Sequence, residues 1–248
     1  LQTLLQQKYV TFSTTFTDQS INTSGTIISW LWDFGDPAGG TSTQQNDVYT
    51  YLNPGSYTVT LTVTDDNGCT DTFSNTVIVR PNPTAIFTAD TVCVGFNTQF
   101  TDLSTIILPL GGNITNWEWE FGDPAGGTST QQNPLYGYQN FGTFNVQLII
   151  TDQYGCMDSI TNPIDVNPGP IAIFTSDTVC EGIATTFTDL SSTVPPLGGP
   201  IDTYLWDFGD PAGGTSTQQN PTYTYAQAGV YTVNLTVTDI NGCQGYYT

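Results

Sequence analysis

Trp32-Asp33-Phe34-Gly35-Asp36-Pro37-Ala38-Gly39-Gly40 decides how this chain is read, because it returns at Trp119 and again at Trp206. Both steps are 87 residues, and Cys69, Cys156 and Cys243 keep the same step, as do Cys93 and Cys180. A fixed internal period overrides the one or two domains that 248 residues would otherwise suggest. We read three copies of one domain, with boundaries at 1–80, 81–167 and 168–248. Each copy is long enough for one modest core.

The third copy shows the local pattern most clearly. Ile171-Ala172-Ile173-Phe174-Thr175 and Thr185–Asp189 read as the first two strands. In Asp202–Phe208, Tyr204, Trp206 and Phe208 fall on one face. A long Gly/Pro/Ser/Thr/Asn loop runs from Gly209 to Pro221. From Tyr231 to Thr238, Tyr231, Val233, Leu235 and Val237 alternate with Thr and Asn, the period of a strand with one wet face. Asp239-Ile240-Asn241-Gly242 supplies a hairpin turn. Short strands between turn clusters predict an all-β sandwich. The single weak helical candidate is Leu1–Gln7.

Trp-Asp-Phe-Gly-Asp, then a Tyr, then Gly-x-Tyr-x-Val-x-Leu-x-Val-x-Asp resembles the PKD (polycystic kidney disease) domain family. The first copy carries it as Tyr51 and Gly55–Asp65, the second as Tyr138 and Gly142–Asp152. The resemblance spans nearly the whole chain and implies three tandem immunoglobulin-like sandwiches of an extracellular protein. Pro37, Pro124 and Pro211 replace the family's usual Gly, and Glu120 stands where the other copies have Asp33 and Asp207. Pro-containing linkers, Val79–Pro83 and Val166–Pro170, are semi-rigid spacers, so an elongated rod of domains each about 35–40 Å long is expected.

The chain holds 22 acidic and 2 basic residues, Lys8 and Arg80, for a net charge of −20. That argues against nucleic acid and against an anionic membrane surface as partners. No apolar run reaches membrane-spanning length. No signal peptide is visible, and the opening Leu1-Gln2-Thr3 reads as the start of a mature or trimmed piece. The composition and the cysteines point to an exported, cell-surface protein. Cys93 and Cys156 are 63 residues apart, as are Cys180 and Cys243, which predicts one disulfide within each of the last two copies. In the first copy Tyr9 stands at the cysteine position, so Cys69 is expected to be unpaired, as a free thiol or an intermolecular link.

Catalysis has little to use. The chain has no histidine, which excludes a Ser-His-Asp triad. The pairs Asp33/Asp36, Glu120/Asp123 and Asp207/Asp210 repeat in every copy, as fold residues would. Asp36, Asp123 and Asp210 precede proline in a turn and are weak candidates for calcium, which needs six to eight oxygens; no other metal or cofactor is expected. Trp32, Trp119 and Trp206 read as core rather than as ligand platforms.

The copies differ in the loop before the Trp strand. Ile106, Ile107, Leu108 and Leu110 in the second copy, and Val194 and Leu197 in the third, form apolar runs that suit a neighbouring domain or another subunit. The paired Cys-x-Gly and Gly-Cys elements resemble those of large Bacteroidota surface proteins. That resemblance makes Thr91, Ser159 and Thr178, each in an Asp-Ser/Thr-aliphatic triplet, candidates for O-glycosylation. The last strand of the third copy is short, leaving an edge for strand addition between successive pieces, unless the piece belongs to a longer array. We therefore expect a non-enzymatic structural or adhesive array, a stalk or filament segment that associates with further copies of itself, with glycans or with surface proteins. The alternative is a carbohydrate- or protein-binding accessory array of a larger secreted enzyme.

Overall fold

The structure is a computed structural model that describes residues 12–23 and 25–248; Tyr9, Lys8 and the helical candidate at Leu1–Gln7 lie outside them. No helix occurs among the described residues. The first copy contains β1 (Phe12–Phe16), β2 (Ile27–Asp33), β3 (Thr41–Ser42), β4 (Asp47–Tyr51), β5 (Gly55–Asp65) and β6 (Thr70–Val79). The second contains β7 (Phe87–Ala89), β8 (Val92–Cys93), β9 (Asn97–Asp102), β10 (Ile114–Glu120), β11 (Thr128–Ser129), β12 (Leu135–Gly137), β13 (Gly142–Asp152) and β14 (Met157–Asn167). The third contains β15 (Phe174–Ser176), β16 (Ala184–Asp189), β17 (Ile201–Asp207), β18 (Thr215–Ser216), β19 (Thr222–Thr224), β20 (Asn234–Asp239) and β21 (Gln244–Tyr247).

Each copy is an immunoglobulin-like sandwich of two sheets. The larger sheets run β3-β2-β5-β6, β11-β10-β13-β14-β8 and β18-β17-β20-β21; the smaller run β1-β4, β12-β9-β7 and β15-β16-β19. Backbone packing groups the chain into two compact units. One is the first copy with Thr105–Thr115 and Thr151–Asp158; the other is the rest of the second copy with the third.

Alternation places the aromatics inward, as the sequence predicts. Trp119, Phe121 and Tyr138 are at most 1% exposed, and Trp206 and Phe208 are buried alike. Phe34 stacks on Tyr49 at 4.2 Å and Tyr51 on Tyr57 at 4.2 Å, and the third copy repeats this with Phe208 on Tyr223 and Tyr225 on Tyr231. The indole N–H of Trp32, Trp119 and Trp206 donates to the carbonyls of Gln44, Gln131 and Gln218 at 2.8–3.0 Å, which fixes the Thr-Ser-Thr-Gln-Gln-Asn loop against the core. The Tyr51, Tyr138 and Tyr225 hydroxyls donate to the carbonyls of Phe34, Phe121 and Phe208. Gly35 has φ +67°, and a Cβ there would lie 2.3 Å from the Thr58 carbonyl oxygen, so the glycine of Trp-Asp-Phe-Gly is required for the close approach.

Two details differ from the sequence reading. The alternation from Tyr231 keeps Val233, Leu235 and Val237 buried, but ladder pairing begins only at Asn234. The first strand of the third copy shrinks to Phe174–Ser176, preceded by an isolated bridge between Ile171 and Ser192. Tyr138→Phe should lower the unfolding free energy by about 1–2 kcal/mol, because it strands the buried Phe121 carbonyl without its donor; urea denaturation followed by Trp fluorescence measures it.

Candidate functional site

The repeated carboxylates are occupied by the fold. Asp36 Oδ1 accepts the Ala38 N–H at 2.9 Å and Oδ2 accepts the Tyr49 hydroxyl at 2.9 Å; Asp210 does the same with Ala212 and Tyr223, and Asp123 with Gly127 and Tyr136. The bonds from Ala212 and Tyr223 hold Asp210 below the usual carboxylate range, while burial and then Asp123 push Tyr136 up to about 12. Among the described residues no group of three or more His, Cys, Asp or Glu is placed to hold a metal ion. Asp33 and Asp207 each accept the N–H two residues on, at Gly35 and Gly209; the longer Glu120 makes no such bond.

A second carboxylate set emerges only from the structure. Asp102 Oδ2 accepts the Trp117 indole N–H at 2.8 Å and a Gln132 amide N–H at 3.1 Å, and Oδ1 accepts the Ser104 N–H. Asp18 holds Trp30, Gln45 and Ser20 in the same way. In the third copy Asp189 binds Gln219 and Ser191, and Tyr204 takes the indole's place. Burial alone would raise these three acids, but the donors together outweigh it and hold each below the usual range. The signal was present as Phe-Thr-Asp two residues before Ser, 84 or 87 residues apart.

The cysteines correct the predicted pairing. Cys93 is bonded to Cys243, with Cα atoms 5.5 Å apart, and Cys69, Cys156 and Cys180 are free. The reason lies in strand direction. Cys93 pairs in parallel with Asn167, the last residue of β14, while Cys156 immediately precedes its first, Met157. Ten residue steps at ~3.3 Å separate those ends by about 33 Å, against the roughly 4.4–6.8 Å a disulfide needs. The Cys93–Cys156 and Cys180–Cys243 bridges are therefore replaced by one link from the second copy to the third.

Beyond the peptide linker, no disulfide joins the first and second copies among the described residues. The Arg80 guanidinium lies 3.4 Å from the centre of the Tyr154 ring and donates to the Leu110 carbonyl at 2.8 Å. Asn167 and Asn241 occupy the matching positions one period later, and Asn241 donates to the Leu197 carbonyl instead. In the second copy the apolar loop thus serves the junction as a backbone acceptor, whereas the matching bond of the third copy stays within that copy. Leu108 and Ile107 remain exposed, while Ile106, Leu110, Val194 and Leu197 are half-buried. Thr91, Ser159 and Thr178 are all exposed. Burial, then Asp152, raises the half-buried Cys156 thiol.

A groove of about 560 Å³ opens on the first copy, lined by Gln19, Ile21, Asn22, Cys69, Asp71 and Phe73 among others. Phe73 is directly paired with Leu61, which faces the core, yet it is 71% exposed. Its counterpart Tyr247 meets Phe174 edge-on at 5.3 Å. Aligning Phe16 with Phe187 puts the place of Phe174 at Thr3, outside the described residues.

Three measurements check this geometry. Non-reducing peptide mapping should recover Cys93 joined to Cys243. Arg80→Ala should cost about 1–2 kcal/mol in thermal or urea unfolding, from the lost cation–π contact and charge-assisted bond, and Arg80→Lys should recover only part of it. Asp102, with its folded-state pKa depressed, contributes stability above about pH 4 that is lost as pH falls through the lowered value. Asp102→Asn should therefore flatten part of the loss of melting temperature between pH 5 and pH 2, relative to the unaltered chain.

The chain matches the PKD domain family at residues 2–81, 78–168 and 167–248. It is 35% identical over 143 residues to the pre-pro-metalloprotease PrtV of Vibrio cholerae, covering 57% of this chain and 15% of that protein. It is 44% identical over 70 residues to a microbial collagenase of Vibrio alginolyticus, covering 28% of this chain and 8% of that protein. The chain thus spans 15% or less of the length of these curated relatives. The solved PKD1 domain of the Vibrio cholerae metalloprotease PrtV is 30% identical, with a TM-score of 0.31, covering 35% of this chain and 98% of that one. Family matches running from residue 2 to residue 248 establish that the chain belongs to the PKD domain family.

Proposed function

We propose that this chain is a non-catalytic recognition array of a larger exported protein, attached to a hydrolytic domain and serving to hold that domain against a protein or glycan surface. The observation that carries the reading is the 143-residue likeness to a metalloprotease, in a chain that itself has no histidine and whose repeated acids are bonded within the fold. It favours an accessory array over a stalk or filament segment. No helix of the described residues is long and apolar enough to cross a membrane.

The groove of the first copy is the surface we assign to recognition. An exposed aromatic ring beside amide, carboxylate and aliphatic side chains offers both an apolar face and directional hydrogen bonds, the combination that seats a sugar ring or an extended peptide. Its acidic rim disfavours polyanionic ligands.

Co-sedimentation of the purified chain with insoluble collagen, cellulose and chitin tests the proposal. Saturable binding to one of these is expected, weakened about tenfold or more by Phe73→Ala, with no cleavage of the polymer. Failure to bind any such surface, or hydrolysis that co-purifies with the chain, would overturn it.

A further inference from the structure

The Cys93–Cys243 bond joins two small structures that each occur more than once. Its first half is the Cys-x-Gly turn: Phe96 N–H donates to the Cys93 carbonyl at 3.1 Å, with Gly95 at φ +90°. Cys180 has the same turn, with Ile183 N–H on its carbonyl at 3.0 Å and Gly182 at φ +78°. Its second half is the hairpin turn of Asp239, whose Oδ1 accepts the Cys243 N–H at 2.8 Å, with Gly242 at φ +79°. Cys69 stands in an identical turn: Asp65 Oδ1 accepts its N–H at 2.8 Å, Gly68 has φ +79°, and the Asp65 N–H to Cys69 carbonyl bond matches that of Asp239 and Cys243.

Both spare halves are exposed free thiols. The third spare cysteine, Cys156, occupies the same hairpin turn, but it is half-buried with a raised thiol pKa. The direction of the existing bond is also fixed: a Cys-x-Gly thiol of one copy meets the hairpin thiol of the next. Within this sequence the first copy has a hairpin thiol and no Cys-x-Gly thiol, Tyr9 being there instead, whereas the third has a free Cys-x-Gly thiol, Cys180, while its own hairpin thiol, Cys243, is bonded back to the second copy.

We propose that Cys180 of one chain and Cys69 of a second chain form the same disulfide between molecules, joining the third repeat of one to the first repeat of the next. The reaction is thiol–disulfide exchange with a low-molecular-weight disulfide. The Cys180 thiolate attacks one sulfur of that disulfide and expels one thiolate. The Cys69 thiolate of the second chain then attacks the Cys180 sulfur of the mixed disulfide and expels the other. Two protein thiols are oxidised, the small disulfide is reduced to two thiols, and the two protein protons pass to them. The charge of −20 on each chain opposes the encounter, so the link forms best where salt shortens electrostatic range to about 8 Å. Cys69 also lines the groove of the first copy, but the link is argued from the two turns and not from any ligand of that groove.

The test uses the whole chain carrying Cys156→Ser, incubated near physiological salt with a mixture of oxidised and reduced glutathione. A non-reducing gel should show a ladder of dimer, trimer and higher species that collapses on reduction, with Cys69–Cys180 peptides in the digest. Adding either Cys69→Ser or Cys180→Ser should abolish the ladder, and mixing those two variants should give dimer and nothing larger. A chain that stays monomeric, a ladder that survives loss of either thiol, or Cys180–Cys180 peptides as the main product would each overturn the proposal.

Discussion

Everything else in each repeat hangs on a buried column of rings tied to the backbone at both ends. Trp, Phe and the paired Tyr residues fill the space between the sheets, and offset and edge-on contacts between them contribute beyond the area they bury. Their polar atoms are not wasted in the dry interior. The indole N–H holds the Gln44, Gln131 or Gln218 carbonyl, and the tyrosine hydroxyl holds the carbonyl of the preceding Phe. An unpaired group at either place would carry its full desolvation cost. The same bonds that satisfy the core therefore fix the long Gly-rich loop and the turn at Gly35, which explains why those loops repeat almost unchanged while the loops before the Trp strand drift.

The fold was legible because its determinants are local and periodic. Strict alternation in Gly142–Asp152, the positive-φ glycines and the 87-residue step all report on the backbone within one repeat. The Asp102 node was harder to see, since its members are Asp102, Trp117 and Gln132, brought together only when two sheets close. Sequence spacing misassigns the cysteine pairing for a related reason. A spacing of 63 residues says that two cysteines share a repeat, but not at which end of a strand each one stands. Register settles that: Cys93 lies beside Asn167, and Cys156 lies a full strand away. The groove was beyond sequence reasoning altogether, because it depends on how far Phe73 is covered rather than on what Phe73 is.

The two junctions solve one problem with different chemistry. Arg80, the one basic residue among those described, lays its guanidinium on Tyr154 and donates to Leu110. One period later, asparagines occupy both ends of that arrangement and a disulfide does the joining. Each junction lacks the device of the other, which makes them substitutes rather than reinforcements. The buried prolines of the linkers, Pro81 and Pro83 in one and Pro168 and Pro170 in the other, are common to both.

In the tethering role proposed above, that difference would have a mechanical consequence. A guanidinium resting on a ring parts and returns on the timescale of side-chain motion, so the first junction can yield under a brief pull and recover without chemistry. The second can separate only if a covalent bond is cleaved. Force applied along such a tether would be absorbed at one joint and transmitted intact through the other, and a reducing environment would turn the stiff joint into a second compliant one.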